Sequence, residues 1–357
     1  MVKSSSWLAG FLMLAGLGCA AVPRSPGARP VAVRVMTIVM AEGGPDPAKW
    51  TGEGKWWVEN ERLNTRIVVD GLREPVLCSA EGHCLMVTGV GPVESAASVM
   101  AVGLSRELDL RRTYFLVAGI AGVSPEVGTV GSAAWAEWVV SADTRSEIDI
   151  RELPKTFEFS GFRTFCQVPW CDGWPGEIGA YHLEPGLQQW AFQLSRNVKL
   201  SDTASVRDLR SKYPPDSAAR RVPSVIKGDV LAGSTWWHGN ILGRWATWWV
   251  GQWTHGAGRY CMTDNEDFAI LETLGRLAKD GRVDLKRVMV LRAGSNFDRP
   301  YPGQQAIESI HPVKGGYALA LENVYRAGSV VARQILTHWQ RWENGVPPMD
   351  KIGGGAE

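Results

Sequence analysis

The chain of 357 residues carries 38 lysines and arginines against 37 aspartates and glutamates, so its formal net charge is +1. This balance excludes a polybasic nucleic-acid binder and an acidic solvating tail. Hydrophobic residues make up 45% of the chain and charged residues 21%, which is typical of a globular protein and excludes a disordered one. A chain of this length can bury a large core, as one large α/β domain or as two smaller ones.

The first 22 residues have the pattern of an export signal. Lys3 is followed by the apolar run Trp7–Ala21, which is short for a membrane span of about 20 residues. The segment Gly16–Cys19 also resembles a bacterial lipobox, which would leave Cys19 lipidated. Residues 23–31 then form a leader, and we find no other segment that could span a membrane. We therefore predict a secreted or periplasmic protein, either free or anchored through a lipid.

The remaining cysteines suit an oxidising compartment. Cys78 and Cys84 flank a turn-like segment, so they could form a disulfide across a hairpin or remain as two free thiols. Cys166 and Cys171 could form a second pair, which would leave Cys261 single. The spacing of these cysteines is not that of a zinc site, so we expect no bound metal.

Apolar runs that indicate strands alternate with segments of helical spacing along the chain. The expected strands are residues 31–39, 65–69, 85–89, 114–117, 130–140 and 288–292. The expected helices are residues 95–108, 265–277 and 316–342, with a surface helix and loop in residues 200–222. This alternation predicts an α/β fold in which a central, mostly parallel or mixed sheet is flanked by helices.

Glycines cluster at three of the expected strand ends, in Thr88–Pro92, Ala118–Gly122 and Arg292–Arg299. In open α/β sheets, ligands bind at the carboxyl ends of strands, where glycine lets the backbone approach a ligand closely. The three segments together favour one ligand site, although tight turns without a ligand have the same composition. None of them is a GxGxxG motif with an acidic partner, so we expect no dinucleotide cofactor and no other cofactor.

The motifs in these segments resemble those of the purine nucleoside phosphorylases and nucleosidases. The shared motifs are, in order, Gly89-x-Gly91, Gly119-x-Ala121-Gly122, Val130-Gly131, Asn265-Glu266 and Arg292-Ala-x-Ser295-Asn296. A closer resemblance, to the purine nucleoside permease family, is carried by Tyr114–Pro154, Tyr260-Cys261, Glu266-Asp267 and Arg292 to Pro300. The resemblance implies one nucleoside-phosphorylase-like α/β domain over residues 32–345, followed by a flexible tail at 346–357. It also implies that the partner is a purine nucleoside.

The resemblance further implies roles for single residues. Glu266 matches the carboxylate that accepts the ribose 2′- and 3′-hydroxyl protons, although an acidic residue there could simply complement a helix dipole. Asn296 lies where nucleosidases carry the acid that protonates the leaving base. Because an amide cannot supply that proton, Asp298 is the substitute candidate, with an ion pair to Arg299 as its structural alternative. The other substrate-binding residues implied are Gly91, Gly119, Ala121, Gly122, Ser295 and Arg292.

The nucleophile can be inferred from what surrounds the second glycine segment. Phosphorolysis usually relies there on an arginine and a serine that hold phosphate, and this chain has Val117 and Ile120 at those positions. Apolar side chains favour water over phosphate as the nucleophile. Water needs a carboxylate base, and Glu42, just past the first strand, lies in the right region.

Tryptophans supply the expected aromatic contacts, since the chain has 17 of them. Trp237 follows a small polar pair, as in the family's aromatic segment, and we expect it to stack on the base. His238 could donate to the 5′-hydroxyl or the base, or have a structural role. A further set with helical spacing predicts a core or subunit-interface stripe rather than a ligand contact; it comprises Trp245, Trp248, Trp249 and Trp253.

Three functions remain open from the sequence. The leading one is an exported purine nucleoside hydrolase, and the second is a phosphate-dependent phosphorylase. The third is a nucleoside-binding component of an uptake system that turns nothing over, which Asn296 in place of an acid keeps open. By analogy with the superfamily we also expect a homo-oligomer, and we expect no nucleic-acid partner.

Overall fold

The computed structural model describes residues 29–44, 46–155, 162–163 and 179–348. The strands in them are β1 (Val31–Ala32), β2 (Val35–Val39), β3 (Thr65–Ile67), β4 (Val76–Cys78), β5 (His83–Val87), β6 (Leu108–Asp109), β7 (Tyr114–Val123), β8 (Ala133–Ala136), β9 (Trp138–Ser141), β10 (Ser146–Glu147), β11 (Phe162–Arg163), β12 (Ala180–His182), β13 (Val225–Lys227), β14 (Asp229–Ala232), β15 (Tyr260–Asp264) and β16 (Val288–Phe297). The helices are α1 (Lys55–Asn60), α2 (Pro92–Leu104), α3 (Pro185–Ser195), α4 (Ala204–Arg210), α5 (Asn240–Trp253), α6 (Asp267–Lys279), α7 (Ala306–Ser309), α8 (Gly316–Thr337) and α9 (Trp339–Trp342). The expected export signal and the Cys166–Cys171 pair lie outside the described residues.

A large mixed sheet organises these elements, which confirms the predicted α/β fold. Its strands follow the order β12-β9-β14-β15-β7-β2-β5-β4-β3, and β16 pairs with both β7 and β8. Strand β2 is parallel to both β5 and β7, and β16 is parallel to β7. Because these four strands run in one direction, their carboxyl ends meet at one edge of the sheet.

The side chains of β2 show how the two faces of the sheet are covered. Met36 and Ile38 point into a core that includes Val99 of α2 and Leu274 of α6. Val35 and Val39 point to the other face, where residues of α8 form a second core. Alternate residues of a strand face opposite sides of a sheet, so a strand buried on both faces is apolar throughout.

The tryptophan stripe of α5 packs inside the chain. Trp245, Trp249 and Trp253 are buried against Leu231 of β14 and Tyr260 of β15, whereas Trp248 is half-buried. The indole Nε1 of Trp249 donates a hydrogen bond to the backbone oxygen of Ser141, over 2.8 Å. These contacts confirm the prediction that this stripe belongs to a core.

Two of the glycine-bearing segments lie largely within strands, so the expected strands 114–117 and 288–292 are too short. Strands β7 and β16 each run for 10 residues and pair in parallel from Val288 opposite Phe115 to Phe297 opposite Val123. A bulge between Gly294 and Asn296 shifts the register. Cooperative pairing over this length outweighs the low strand propensity of glycine.

The helix boundaries also differ from the predicted ones by a few residues. Helix α2 begins at Pro92 rather than Ser95, because Gly91 adopts φ +91° and proline suits the first helical position. The predicted closing helix is interrupted at His338, which separates α8 from α9.

The cysteines that the structure describes have defined states. Cys78 and Cys84 form a disulfide across the β4–β5 hairpin, which confirms that pairing, and Cys261 is free and buried. None of the helices among the described residues is long and apolar enough to cross a membrane. Nor do three or more histidines, cysteines or carboxylates in the described part of the chain group together as metal ligands.

Candidate functional site

A cavity of about 310 Å³ opens at the edge where the parallel strands end, and we call it the strand-end cavity. Its walls come from the residues after β2, from the ends of β7, β15 and β16, from the start of α6 and from the segment after α7. Predicted site residues that line it are Ala121, Gly122, Trp237, Glu266, Arg292, Ser295, Asn296 and Asp298. The fold thus brings together residues that lie up to 177 positions apart, from Ala121 to Asp298.

Three predicted site residues have other positions. Gly91 supports the site from outside, because its backbone N–H donates to Glu266 Oε1 over 2.9 Å. Gly119 lies under Arg292, where an added Cβ would be 2.4 Å from Nη1, so a larger residue would displace the guanidinium. Glu42 is not among the residues that line the cavity, since its carboxylate folds back to accept from the backbone N–H of Gly52 over 2.6 Å.

The carboxylate that enters the cavity from this region is Glu53. Its Oε2 accepts hydrogen bonds from the N–H groups of Met40 and Ala41, over 2.7 and 2.9 Å. Its Oε1 accepts from the N–H of Ile120 over 2.8 Å, and the side chain is buried. Three backbone donors therefore hold Glu53 in one orientation between the end of β2 and β7.

Sequence reasoning missed Glu53, although its neighbours carry a signal. Glu53 lies between Gly52 and Gly54. An added Cβ on Gly52 would be 1.9 Å from the backbone oxygen of Ala41, and one on Gly54 would be 2.6 Å from the ring of Trp50. A carboxylate between two glycines that permit such close packing is a candidate for a fixed position.

Arg292 is surrounded by three carboxylates at the base of the cavity. Its guanidinium contacts Asp264 over 3.1 Å, Glu266 over 3.4 Å and Asp267 through Nε over 3.0 Å. Its Nη1 also donates to the backbone oxygen of Ile120 over 3.0 Å. The guanidinium is fully enclosed, so its donors are committed to protein acceptors.

Burial and mutual repulsion decide the charges in this cluster. Burial raises the pKa of Asp264 well above its usual value, and the neighbouring Asp267 and Glu266 add to that shift. Burial also raises the pKa of Glu266, against the opposing effects of Arg292 and the Gly91 N–H. Although burial acts to lower the pKa of Arg292, the carboxylates of Asp264 and Asp267 raise it well above its usual value. The guanidinium therefore stays charged, and burial favours the protonated form of Asp264.

Asn296 and Asp298 lie on the wall formed by β16. The amide Nδ2 of Asn296 donates to the backbone oxygen of Phe297 over 3.0 Å, and Oδ1 accepts from the Ser295 hydroxyl over 3.0 Å. Asp298 is buried and accepts from Tyr260 over 2.7 Å and from Arg299 over 2.8 Å. Burial raises the pKa of Asp298 even though Arg299 opposes the shift. Asp298 therefore makes the expected ion pair with Arg299 and also lines the cavity.

Aromatic and apolar side chains form the mouth of the cavity. Trp237 lines it and packs edge-on against Trp245, while its neighbour Trp236 is 66% exposed at the rim. Tyr317, at the start of α8, completes this surface. His238 hydrogen-bonds Ser309 Oγ over 2.6 Å, and burial lowers its pKa. An apolar mouth over a polar floor suits a flat ligand with hydroxyl groups at one end.

Solved structures of nucleosidases share this fold. The 5′-methylthioadenosine/S-adenosylhomocysteine nucleosidase of Neisseria meningitidis, in complex with methylthio-immucillin-A, is 13% identical with a TM-score of 0.52, and the match covers 85% of this chain and 100% of that one. The futalosine hydrolase of Helicobacter pylori is 12% identical with a TM-score of 0.50 and coverages of 85% and 98%. At such low identity these likenesses concern the fold.

Relatives at higher identity carry the name of a permease. A probable purine nucleoside permease of Schizosaccharomyces pombe is 33% identical over 269 residues, which are 72% of this chain and 77% of that protein. A purine nucleoside permease of Candida albicans is 31% identical over 273 residues, 73% of this chain and 66% of that protein. The sequence profile of the family described as purine nucleoside permease (NUP) matches residues 32–347. The chain therefore belongs to the purine nucleoside permease family.

Proposed function

We propose that the protein binds a purine nucleoside in the strand-end cavity and hydrolyses its N-ribosyl bond. The observation that carries this proposal is the pair Glu53 and Glu266, two buried carboxylates in one cavity that are fixed by different strands. In the proposed complex Glu266 accepts the ribose hydroxyl protons. Glu53 takes a proton from the attacking water. The water oxygen then bonds to C1′ while the bond from C1′ to the purine nitrogen breaks.

Electrostatics favours water over phosphate as the nucleophile. The described residues that line the cavity include one guanidinium, that of Arg292, and four carboxyl groups, those of Glu53, Asp264, Glu266 and Asp298. The guanidinium is already committed to acceptors of the protein, and Ile120 replaces a phosphate donor. A phosphate dianion would enter this acidic surrounding at a cost, whereas water and an uncharged nucleoside would not.

Departure of the base needs a proton or a hydrogen bond on the purine ring. Asp298, whose pKa is raised by burial, is the candidate acid, and Asn296 is the candidate donor that orients the base. In this proposal Trp237 and Trp236 supply the aromatic contacts to the purine. Glu42 is the general base predicted from the sequence. Because Glu53 lines the cavity and Glu42 does not, we propose Glu53 as the base instead.

A matched pair of variants tests the hydrolase. We expect Glu53→Gln to lower the turnover of inosine, guanosine or adenosine by about 10²–10⁴-fold, the usual contribution of a general base, with nucleoside binding retained. Glu42→Gln is the control, because it removes a neighbouring carboxylate that does not line the cavity. Free base should appear at the same rate with and without phosphate. Turnover that requires phosphate would contradict the proposal, and so would loss of activity in Glu42→Gln alone.

The second candidate is a nucleoside-binding component of uptake, as the names of the relatives suggest. Asn296 favours it, because an amide at this position cannot protonate the base. Saturable nucleoside binding by the purified protein, with no free base in either buffer, would support this function and exclude the hydrolase.

We also propose export, with residues 1–22 as the signal or with Cys19 as a lipid-modified N-terminus. Mass spectrometry of the protein recovered from its producing cells tests this, since a lipid adds the mass of its acyl chains to Cys19. An intact N-terminus would contradict both forms. Self-association stays a prediction for which light scattering is the measurement.

A further inference from the structure

A second cavity, of about 300 Å³, lies at the opposite edge of the sheet, and we call it the arginine cavity. Arg34 enters it from just before β2, and His83 from the first position of β5. Arg62 follows α1, and Arg333 lies in the last turns of α8. Since β2 and β5 are parallel and their carboxyl ends lie at the strand-end cavity, the two cavities are separated by the length of these strands.

His83 has a ring nitrogen at this cavity that makes no close hydrogen bond within the described part of the chain. The side chain is 2% exposed, and its Nε2 lies 2.9 Å from the Thr37 hydroxyl. Its Nδ1 is buried and makes no close hydrogen bond to the residues that the structure describes, and the carboxylate oxygen Glu61 Oε2 lies 3.8 Å from it, at ion-pair distance. When the Thr37 hydroxyl donates to Nε2, the proton of the neutral ring is on Nδ1. A buried donor whose acceptor lies as far as 3.8 Å is poorly satisfied, so it can donate to an acceptor that comes closer.

The charges around this histidine are mostly positive. Arg34, Arg62 and Arg333 line the cavity together with two carboxylates, Glu61 and Glu81. Glu61 is already satisfied, because it accepts from Tyr325 over 2.8 Å and from Arg333 over 2.5 Å. The exposed Glu81 is the remaining acidic group, and the Ser79 hydroxyl keeps its pKa below the usual value. Three guanidinium groups against two carboxylates leave a positive surface.

Arg62 is held in a conformation that arginine rarely adopts. Its φ is +51°, in the left-handed region, and its exposed side chain interacts electrostatically with Glu81. Arginine offers a rigid fork of donors that matches carboxylate and phosphate groups. An exposed guanidinium and a buried histidine donor that line the same cavity have the composition of an oxyanion site.

We propose that the arginine cavity binds a small oxyanion, a phosphate or carboxylate group, through Arg62, Arg34 and His83 Nδ1. The site is separate from the strand-end cavity, which carries the opposite charge and which the proposed function assigns to a nucleoside. The Cys78–Cys84 disulfide closes the hairpin that carries Glu81 and His83, so it keeps this wall of the site in place.

Calorimetric titration of the purified protein with inorganic phosphate, and separately with succinate, tests the proposal. We expect Arg62→Asn to weaken binding about tenfold, because it removes a charge-assisted donor. Asparagine tolerates the left-handed backbone, so this variant should fold. Glu81→Gln removes the exposed like charge and should tighten binding about threefold. Opposite effects of Arg62→Asn and Glu81→Gln on the affinity are expected if the anion binds in the arginine cavity.

Glu53→Gln separates the two cavities, because it alters the strand-end cavity and should leave the affinity for phosphate unchanged. Binding of phosphate alone or of succinate alone would support the proposal and identify the group. No binding of either anion would overturn it. Binding that Arg62→Asn leaves unchanged, or that Glu53→Gln alters, would overturn it as well, since the anion would then lie elsewhere.

Discussion

The two ends of the sheet contain the same kinds of side chain in opposite proportions. At the strand-end cavity one guanidinium, Arg292, is enclosed by Asp264, Glu266 and Asp267. At the arginine cavity one carboxylate, Glu61, is held by Arg333 and a tyrosine, while other arginines stand nearby. In each cluster the buried central group is paired with opposite charges. The net charge at the surface of the cavity is therefore that of the more numerous side chains, negative at the strand-end cavity and positive at the arginine cavity.

This difference bears on what each end can bind. A surplus of carboxylates repels anions and accepts protons from hydroxyl groups, as a nucleoside site requires. A surplus of guanidinium groups attracts oxyanions. The clusters also differ in exposure, because the Arg292 side chain is 1% exposed and the Arg333 side chain 51%. Removing either arginine therefore has different consequences for stability.

The largest expected effect is on the enclosed cluster. Arg292→Met would leave three carboxyl groups buried without their cation, and we expect the free energy of unfolding to fall by about 3–5 kcal/mol. Arg333→Met is the matched control, for which we expect a loss of about 1 kcal/mol or less, since the Arg333 side chain is half exposed to solvent and Tyr325 still donates to Glu61. Urea unfolding measures both. Equal losses would contradict the distinction between the two clusters.

The second effect concerns the hairpin at the arginine cavity. Replacing Cys78 and Cys84 by alanine together should lower the free energy of unfolding by about 2 kcal/mol, because the disulfide restricts a short loop in the unfolded chain. Thermal unfolding of the double variant and of the reduced wild-type protein measures it. Reduction should have no effect on the double variant. A change there would show that another cysteine pair contributes.

The smallest effect is on nucleoside binding at the acidic end. Glu266→Gln should weaken binding about tenfold, since a neutral amide replaces a charged acceptor. Because burial raises the pKa of Glu266, wild-type affinity should fall on acidification with a midpoint above the usual 4.5, as the carboxylate becomes protonated. The variant should lose this acidic limb, and Glu42→Gln should keep it. A limb that persists in Glu266→Gln would assign the titration to another group.

The predicted site residues illustrate what a sequence can provide. The family resemblance predicts Glu266, Arg292 and Asn296 at one site, and all three line the strand-end cavity. The lengths of β7 and β16 are harder to predict from the sequence. The glycines of Ala118–Gly122 look like a loop in composition, yet β16 pairs with that segment, and Gly119 leaves room for the guanidinium of Arg292.

Glu53 shows a second limit. Glu42 and Glu53 both follow β2 in the chain, and nothing in their spacing says which one turns inward. The choice depends on three backbone N–H groups from β7 and the end of β2, and on Gly52 packing against Ala41. Such contacts come from segments that are distant in sequence, so local patterns do not contain them.

The sequence by itself determined the α/β class, the family resemblance and most of the residues that line the strand-end cavity, whereas it left the Cys78–Cys84 disulfide open. These features depend on local periodicity and on motifs that recur in order along the chain. The tertiary structure alone decided that Glu53 enters the cavity, that Arg292 is shared by three carboxylates and that Arg34, Arg62, His83 and Arg333 meet. Charge at a site is a sum over side chains from distant segments, and only the folded chain brings those segments together.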